Sequence, residues 1–262
     1  MKKFLVTSAI TLMSITSAIA DDAEINTSGT DWSGYYLGVQ AGYVDIDSDN
    51  SLSVPGNAII AAAIATANAV GSTDVDPNGF TIGLYGGVNR QRGNIVYGIE
   101  GDVNYADVDD TGIANTPMGL TAGRTTDSFE MDFFGTLRGR LGMARDNVLW
   151  FATGGLAFAN VDFNRNLDWA FIDGCPAVGG GLQRCHSGGA EFDIGYTLGG
   201  GFEVEPDNGY RFKFEYLYTD LGDESFQTIN AGGPGLAMPP QNIIHNVDLS
   251  FHTVRLGISK PF

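Results

Sequence analysis

The chain has 262 residues, 31 acidic against 14 basic side chains and a formal charge of −17. That balance argues against a nucleic-acid partner, which attracts basic surfaces. Its 37 glycines follow no Gly-X-Y period and the hydrophobic share of 43% is ordinary, which excludes collagen and makes disorder a poor reading.

Residues 1–20 have the layout of a secretory signal. Lys2 and Lys3 form the basic start, Phe4 to Ile15 the apolar middle, and Ala18-Ile19-Ala20 a small-residue cleavage site. Without Lys2 and Lys3 the charge deepens to −19. No stretch is long enough to cross a bilayer as an apolar helix. Residues 21–32 then read as a periplasmic N-terminal segment, and 33–262 as one large β domain.

Eight alternating segments follow. The first, 33–44, sets Tyr35, Leu37, Val39, Ala41 and Tyr43 on one face, with glycine and polar residues on the other. The second, 79–90, repeats this with Phe80, Ile82, Leu84 and Val88. The third, 95–106, sets Ile95, Tyr97, Ile99, Val103 and Tyr105 against Gly98, Glu100, Asp102 and Asn104. In the fourth, 128–143, Phe129, Met131, Phe133, Leu137 and Leu141 oppose Glu130, Asp132, Arg138 and Arg140.

The fifth, 148–161, is apolar on both faces, and Trp150, Ala152, Leu156 and Phe158 are placed outward. The sixth, 191–205, sets Phe192, Ile194, Tyr196, Leu198, Phe202 and Val204 against Glu191, Asp193, Thr197 and Glu203. The seventh, 210–220, alternates Tyr210, Phe212, Phe214, Tyr216 and Tyr218 with Arg211, Lys213 and Glu215. In the eighth, 247–262, Val247, Leu249 and Phe251 are odd, but Val254, Leu256, Ile258 and Phe262 are even. A β-bulge near His252 would bring both sets to one face, because one extra residue exchanges the faces.

Short and long connections alternate. Arg90 to Asn94, Arg145 to Asn147 and Pro206 to Gly209 are turn-like, whereas 45–78, 107–127, 162–190 and 221–246 are long. Loops of that length are uncommon in compact soluble domains. The rhythm puts every long loop at one end of an up-and-down barrel, as in outer-membrane proteins with periplasmic turns and extracellular loops. Aromatic residues gather near the segment ends, as interfacial girdles require. The predicted fold is all-β: an eight-stranded antiparallel up-and-down transmembrane β-barrel.

Trp32 to Tyr43, Thr136-Leu137-Arg138-Gly139-Arg140-Leu141-Gly142, Ala152 to Ala157, and Val254 to Ile258 with terminal Phe262 occur in this order. This set resembles the first, fourth, fifth and closing strands of the porin-like outer-membrane proteins of alphaproteobacteria, the Brucella and Bartonella surface-protein family. The resemblance covers the whole mature chain. It implies an eight-stranded barrel of the OmpA type without a periplasmic domain. It also implies location in the Gram-negative outer membrane after export by the Sec pathway. Phe262 is the expected assembly signal for the barrel-assembly machinery, although Pro261 and Lys260 depart from its usual form.

Predicted inward charges form the first candidate site: Glu100, Asp102, Glu130, Asp132, Arg138, Arg140, Glu203, Arg211, Lys213, Glu215 and Arg255. An eight-stranded barrel is just wide enough for side chains to fill it. A salt-bridged polar plug is therefore expected, with a narrow gated pore for ions or small solutes as the alternative. Cys175 and Cys185 form an even pair in an exported chain and read as a disulfide.

Asp45, Asp47 and Asp49 have the start of a calcium-loop spacing, which fails at Asn50 and Gly56. The resembled family includes haem-binding members, which leaves a haem-binding surface protein as a further alternative, with His186, His245 and His252 as available imidazoles but no spacing that marks a haem pocket. Alanine-rich 57–70 suggests a short helix in the first loop. No enzyme signature, cofactor or metal site is read. The expected role is envelope integrity and surface interaction. The expected partners are outer-membrane lipid and lipopolysaccharide, with a host or environmental ligand at the loops.

Overall fold

The computed structural model describes residues 29–53, 77–116, 123–169, 183–206, 209–229 and 242–262. The proposed signal at 1–20, the alanine-rich segment 57–70 and Cys175 lie outside these residues. So does the Cys175–Cys185 pairing.

Eight strands follow in chain order: β1 (Gly34–Ser53), β2 (Asn78–Arg92), β3 (Ile95–Thr116), β4 (Gly123–Arg145), β5 (Val148–Trp169), β6 (Gln183–Val204), β7 (Arg211–Ile229) and β8 (Asn242–Pro261). Each pairs antiparallel with its sequence neighbours, and β8 returns to β1, so the sheet closes on itself. The expected eight-stranded barrel is the observed fold. Two-residue connections join β2 to β3 and β4 to β5, with positive φ at Gly93 and Asp146, as tight hairpins require.

Within a central band the outward face is apolar. Leu37, Ile99, Leu137, Leu156, Leu198 and Leu256 all stay more than half exposed. The fifth strand points Trp150, Leu156 and Phe158 outward, while Phe151 and Ala157 turn in. Aromatic pairs mark both edges of the band. Tyr43–Phe80 and Tyr105–Phe133, each at 5.5 Å, stand at the loop end, and Trp150–Phe202 at 5.2 Å stands at the turn end.

From Tyr35 to Tyr43, eight steps of about 3.3 Å on a strand tilted about 40° rise roughly 20 Å, close to the apolar height of an outer-membrane barrel. Beyond the loop-end aromatics the outward residues become polar at once: Asp45 and Asp47 on β1, Asp107 and Asp109 on β3, Glu130 on β4 and Glu191 on β6.

The strands do not stop where the apolar band stops. β3 to β6 each run 22 or 23 residues, well into the segments expected as loops, and His186 lies on β6 rather than in a loop. Above the band the barrel wall faces water, so the ordinary rule of apolar inside and polar outside returns. That reversal corrects expectations on three strands.

On β4, Phe129 and Met131 are 2% and 0% exposed inside the barrel, and Glu130 points out. The exchange of faces occurs at Asp132, where the pairing with β5 slips between Met131 and Phe133. On β8, Val247, Leu249 and Phe251 also point inward and are fully buried. They share odd parity with inward Thr253 and Arg255, so no bulge is needed at His252. The β1–β8 register runs unbroken from Tyr36–Pro261 to Ser53–Ile244. Glu191, expected inward, is likewise exposed on the outer side, while neighbouring Ala190 is buried.

Candidate functional site: the filled lumen

The interior has three tiers. At the turn end Trp32 is fully buried against Val96 and Leu149. The chain reaches it through Thr30, whose amide donates to the Asp146 carbonyl at 3.2 Å. Arg211 lies over the indole at 4.7 Å, donates to the Asp31 carbonyl at 3.0 Å and pairs with Glu205 at 2.6 Å. Residues 29–32, part of the segment 21–32 expected to lie in the periplasm ahead of the barrel, thus form its lowest packed layer.

The middle tier is an ion-pair network built on alternate residues of β3, β4, β6, β7 and β8. Arg138 donates to Glu100 and Glu215, each at 2.6 Å, and to Asp102 at 3.1 Å. Arg140 reaches Glu203 at 2.6 Å and Glu100 at 3.3 Å. Lys213 pairs with Glu100 at 3.0 Å and Glu215 at 3.5 Å. Arg255 bridges Asp102 at 3.0 Å and Glu215 at 2.8 Å.

Four carboxylates therefore face four cations, and the side chains are almost wholly removed from solvent. Buried charge is costly unless it is paired and hydrogen-bonded, and this balance meets both conditions. Lys213 on β7 and Glu100 on β3 belong to opposite strands of an eight-membered ring, so their contact crosses the barrel axis.

Aromatic and amide groups complete this tier. The Tyr36 hydroxyl donates to Glu100 at 2.8 Å and accepts from Arg140 at 2.8 Å. Arg140 also lies over the Phe151 ring at 4.2 Å, and the Lys213 ammonium over Tyr85 at 3.6 Å. Gln40 donates to Asn104 at 2.7 Å. Tyr85 fits because Gly38 and Gly257 face it. A Cβ at either would come within 2.7 or 2.9 Å of its ring.

The upper tier is apolar. Val44, Ile46, Ala106, Val108, Phe129, Met131, Phe134, Ala157, Ala159, Val161 and Phe163 pack with Leu221, Val247, Leu249 and Phe251. Phe134 on β4 and Phe251 on β8 meet at 5.5 Å, again across the axis. Above them Arg165 and Asp127 form a separate, bidentate buried pair, with Arg165 Nε at 2.7 Å.

Of the predicted lumen charges, the structure gathers Glu100, Asp102, Arg138, Arg140, Glu203, Lys213, Glu215 and Arg255 into one network. Arg211 sits below it in its own pair with Glu205. Glu130 is outside the barrel, and half-buried Asp132 marks the bulge. Sequence reasoning missed Trp32, Tyr36, Tyr85, the Arg165–Asp127 pair and the whole apolar tier. The alternating Trp32 and Tyr36 ahead of Gly38 were the available signal for the first two.

Among the described residues the His245 and His252 rings do not converge. The His245 ring is buried against Phe226, with centroids 4.7 Å apart. His252 faces outward, with Nδ1 2.6 Å from the Tyr216 hydroxyl and Nε2 3.4 Å from Asp47. Among the described residues no group of three His, Cys, Asp or Glu side chains is arranged to hold a metal. Phe262, the expected assembly signal, is exposed, and its amide donates to the Tyr35 carbonyl at 2.9 Å.

Comparison with known proteins agrees with this architecture. The chain is 29% identical to the 31 kDa outer-membrane immunogenic protein of Brucella melitensis, over 99% of this chain and 100% of that protein. It is 25% identical to a 22 kDa outer membrane protein of Rhizobium leguminosarum bv. viciae, over 79% of this chain and 72% of the relative. Among solved structures, OprG of Pseudomonas aeruginosa aligns with a TM-score of 0.44 at 15% identity, covering 90% of this chain and 100% of that one. The family model described as outer membrane protein beta-barrel domain matches residues 7–252, nearly the whole chain, and the protein belongs to that outer-membrane β-barrel family.

Proposed function

We propose that this outer-membrane barrel is structural and non-catalytic, contributing to envelope integrity and presenting its loop end for surface interaction. The observation that carries the reading is the interior itself: ion pairs and ring contacts join opposite strands in two successive tiers. An interior spanned twice across its axis supports a plug rather than a pore for ions or small solutes. His245 is buried and His252 faces outward, an arrangement that favours the structural reading over haem held between these two rings.

The turn end faces the periplasm in this reading, and the loop end the exterior. The signal at 1–20 directs Sec export, Phe262 engages the barrel-assembly machinery, and Cys175 and Cys185 form a disulfide after export. Outer-membrane lipid meets the apolar band, and lipopolysaccharide surrounds the polar wall above it. The immunogenic naming of the Brucella relatives supports a surface-exposed loop end.

Deleting the gene tests the role. Cells without the protein are expected to admit detergents and bulky antibiotics more readily, with wild-type complementation restoring the barrier. An unchanged barrier would contradict the structural role.

A further inference from the structure

β6 and β7 pair only from Tyr196–Asp220 down to Val204–Phe212. Above that point each strand continues but follows its other neighbour. β6 stays with β5 up to Gln183–Trp169, and β7 stays with β8 up to Ile229–Asn242. The barrel wall therefore forks at the loop end, and the facing edges of β6 and β7 have no strand partner among the described residues.

The fork has a local cause. The β7–β8 register slips between Asp220 and Gly222, and Gly222 has φ of +80°, a conformation that glycine adopts without strain. The Gly222 amide donates to Asp220 Oδ1 at 2.8 Å, and the Tyr196 hydroxyl donates to Asp220 Oδ2 at 2.7 Å. Asp220 thus fastens the last paired rung and holds the bulge that turns β7 away.

A cleft of about 410 Å³ opens between the two arms. Asp162, Phe163, Ala190 and Glu191 line one side, and Glu224 and Phe226 the other. Phe163 and Phe226 lie 6.3 Å apart and give it an apolar floor. Unpaired strand edges are templates for another strand, and natural sheets guard them with charged side chains, lysine above all, with proline or with bulges. The stretches Ser187 to Glu191 on β6 and Gly222 to Gln227 on β7 carry neither lysine nor proline, and every charge on them is acidic. The carboxylates select the partner. They repel a second copy of the same edge and attract a basic one.

We propose that the β6–β7 fork captures an extended basic segment of another polypeptide, which adds as a strand to a free edge while its cationic side chains meet Asp162, Glu191 and Glu224. The partner's main chain supplies the ladder hydrogen bonds, and its alternate side chains enter the phenylalanine floor. The proposal rests on the reading above only for the side from which a partner arrives. Binding is measured on purified protein, so failure here leaves the envelope role untouched.

The probe is a short fluorescent peptide alternating lysine and valine, titrated into the full-length protein in lipid nanodiscs. Saturable binding is expected, with protection of the 187–191 and 222–227 amides from hydrogen exchange. Methylating alternate peptide amides keeps the charge but removes ladder donors, and is expected to weaken binding about tenfold or more. Glu191→Gln with Glu224→Gln is expected to weaken it by a similar factor, about tenfold. Equal binding of the methylated peptide would mean general charge attraction and overturn the proposal. So would the absence of saturable binding, or protection elsewhere on the barrel.

Discussion

Arg138 touches three of the four carboxylates in the central network, so its removal leaves Glu100, Asp102 and Glu215 short of a cation at once. Breaking a buried pair from one side costs about 3–5 kcal/mol, because the remaining charge stays buried. Arg138→Ala is therefore expected to lower unfolding stability by about that amount in lipid vesicles. The Arg138→Lys variant should not restore it, since one ammonium lacks the fork that spans Glu100 and Glu215.

Tyr36→Phe removes the hydroxyl shared by Glu100 and Arg140, a charge-assisted bond, and should cost about 1.5–3 kcal/mol. Both values are read from denaturant unfolding curves. A loss within about 0.5 kcal/mol, typical of surface substitutions, would show that these side chains are solvated rather than packed.

At the scale of the strand, the two solvents of the barrel decide which face is which. Inside the apolar band the environment rewards Leu37, Ile99 and Leu256 on the outside, and alternation made those faces legible in the sequence. Above the band the wall stands in water, and the same alternation carries the opposite meaning. Val247, Leu249 and Phe251 could be read as lipid-facing only by inserting a bulge at His252, because nothing local in the sequence marks where lipid ends.

Of the acidic residues that mark this boundary, Asp45 and Asp107 read as loop composition, and Glu130 and Glu191 as inward charges, rather than as the outer face of continuing strands. β4 needs a bulge at Asp132 because its apolar residues are odd on both sides of the boundary. β8 needs none because its parity already changes. Thiol accessibility tests this assignment in a chain with Cys175 and Cys185 replaced by serine. Asp248→Cys should react rapidly with an aqueous maleimide, whereas Leu249→Cys should react slowly. The reverse order would restore the bulge.

For the whole molecule, three tiers replace the single polar core that the inward charges suggested. Half of the interior was legible, since an inward Glu100 and Arg138 on neighbouring strands had to meet. The layer formed by residues 29–32 was not, because Trp32 precedes the first strand and only the closed ring brings it beneath Val96 and Leu149. The upper tier makes the barrel resistant to loss of the charges alone. Arg138→Ala should destabilise the barrel without opening it, as Phe134 and Phe251 still meet across the axis above.

Conductance in planar bilayers tests the filled lumen most directly. Pure folded protein is expected to give no reproducible single-channel steps, and Arg138→Ala to remain silent as well. Stable unitary steps from the wild-type barrel, lost or altered in Arg138→Ala, would show an open axial path and contradict the account.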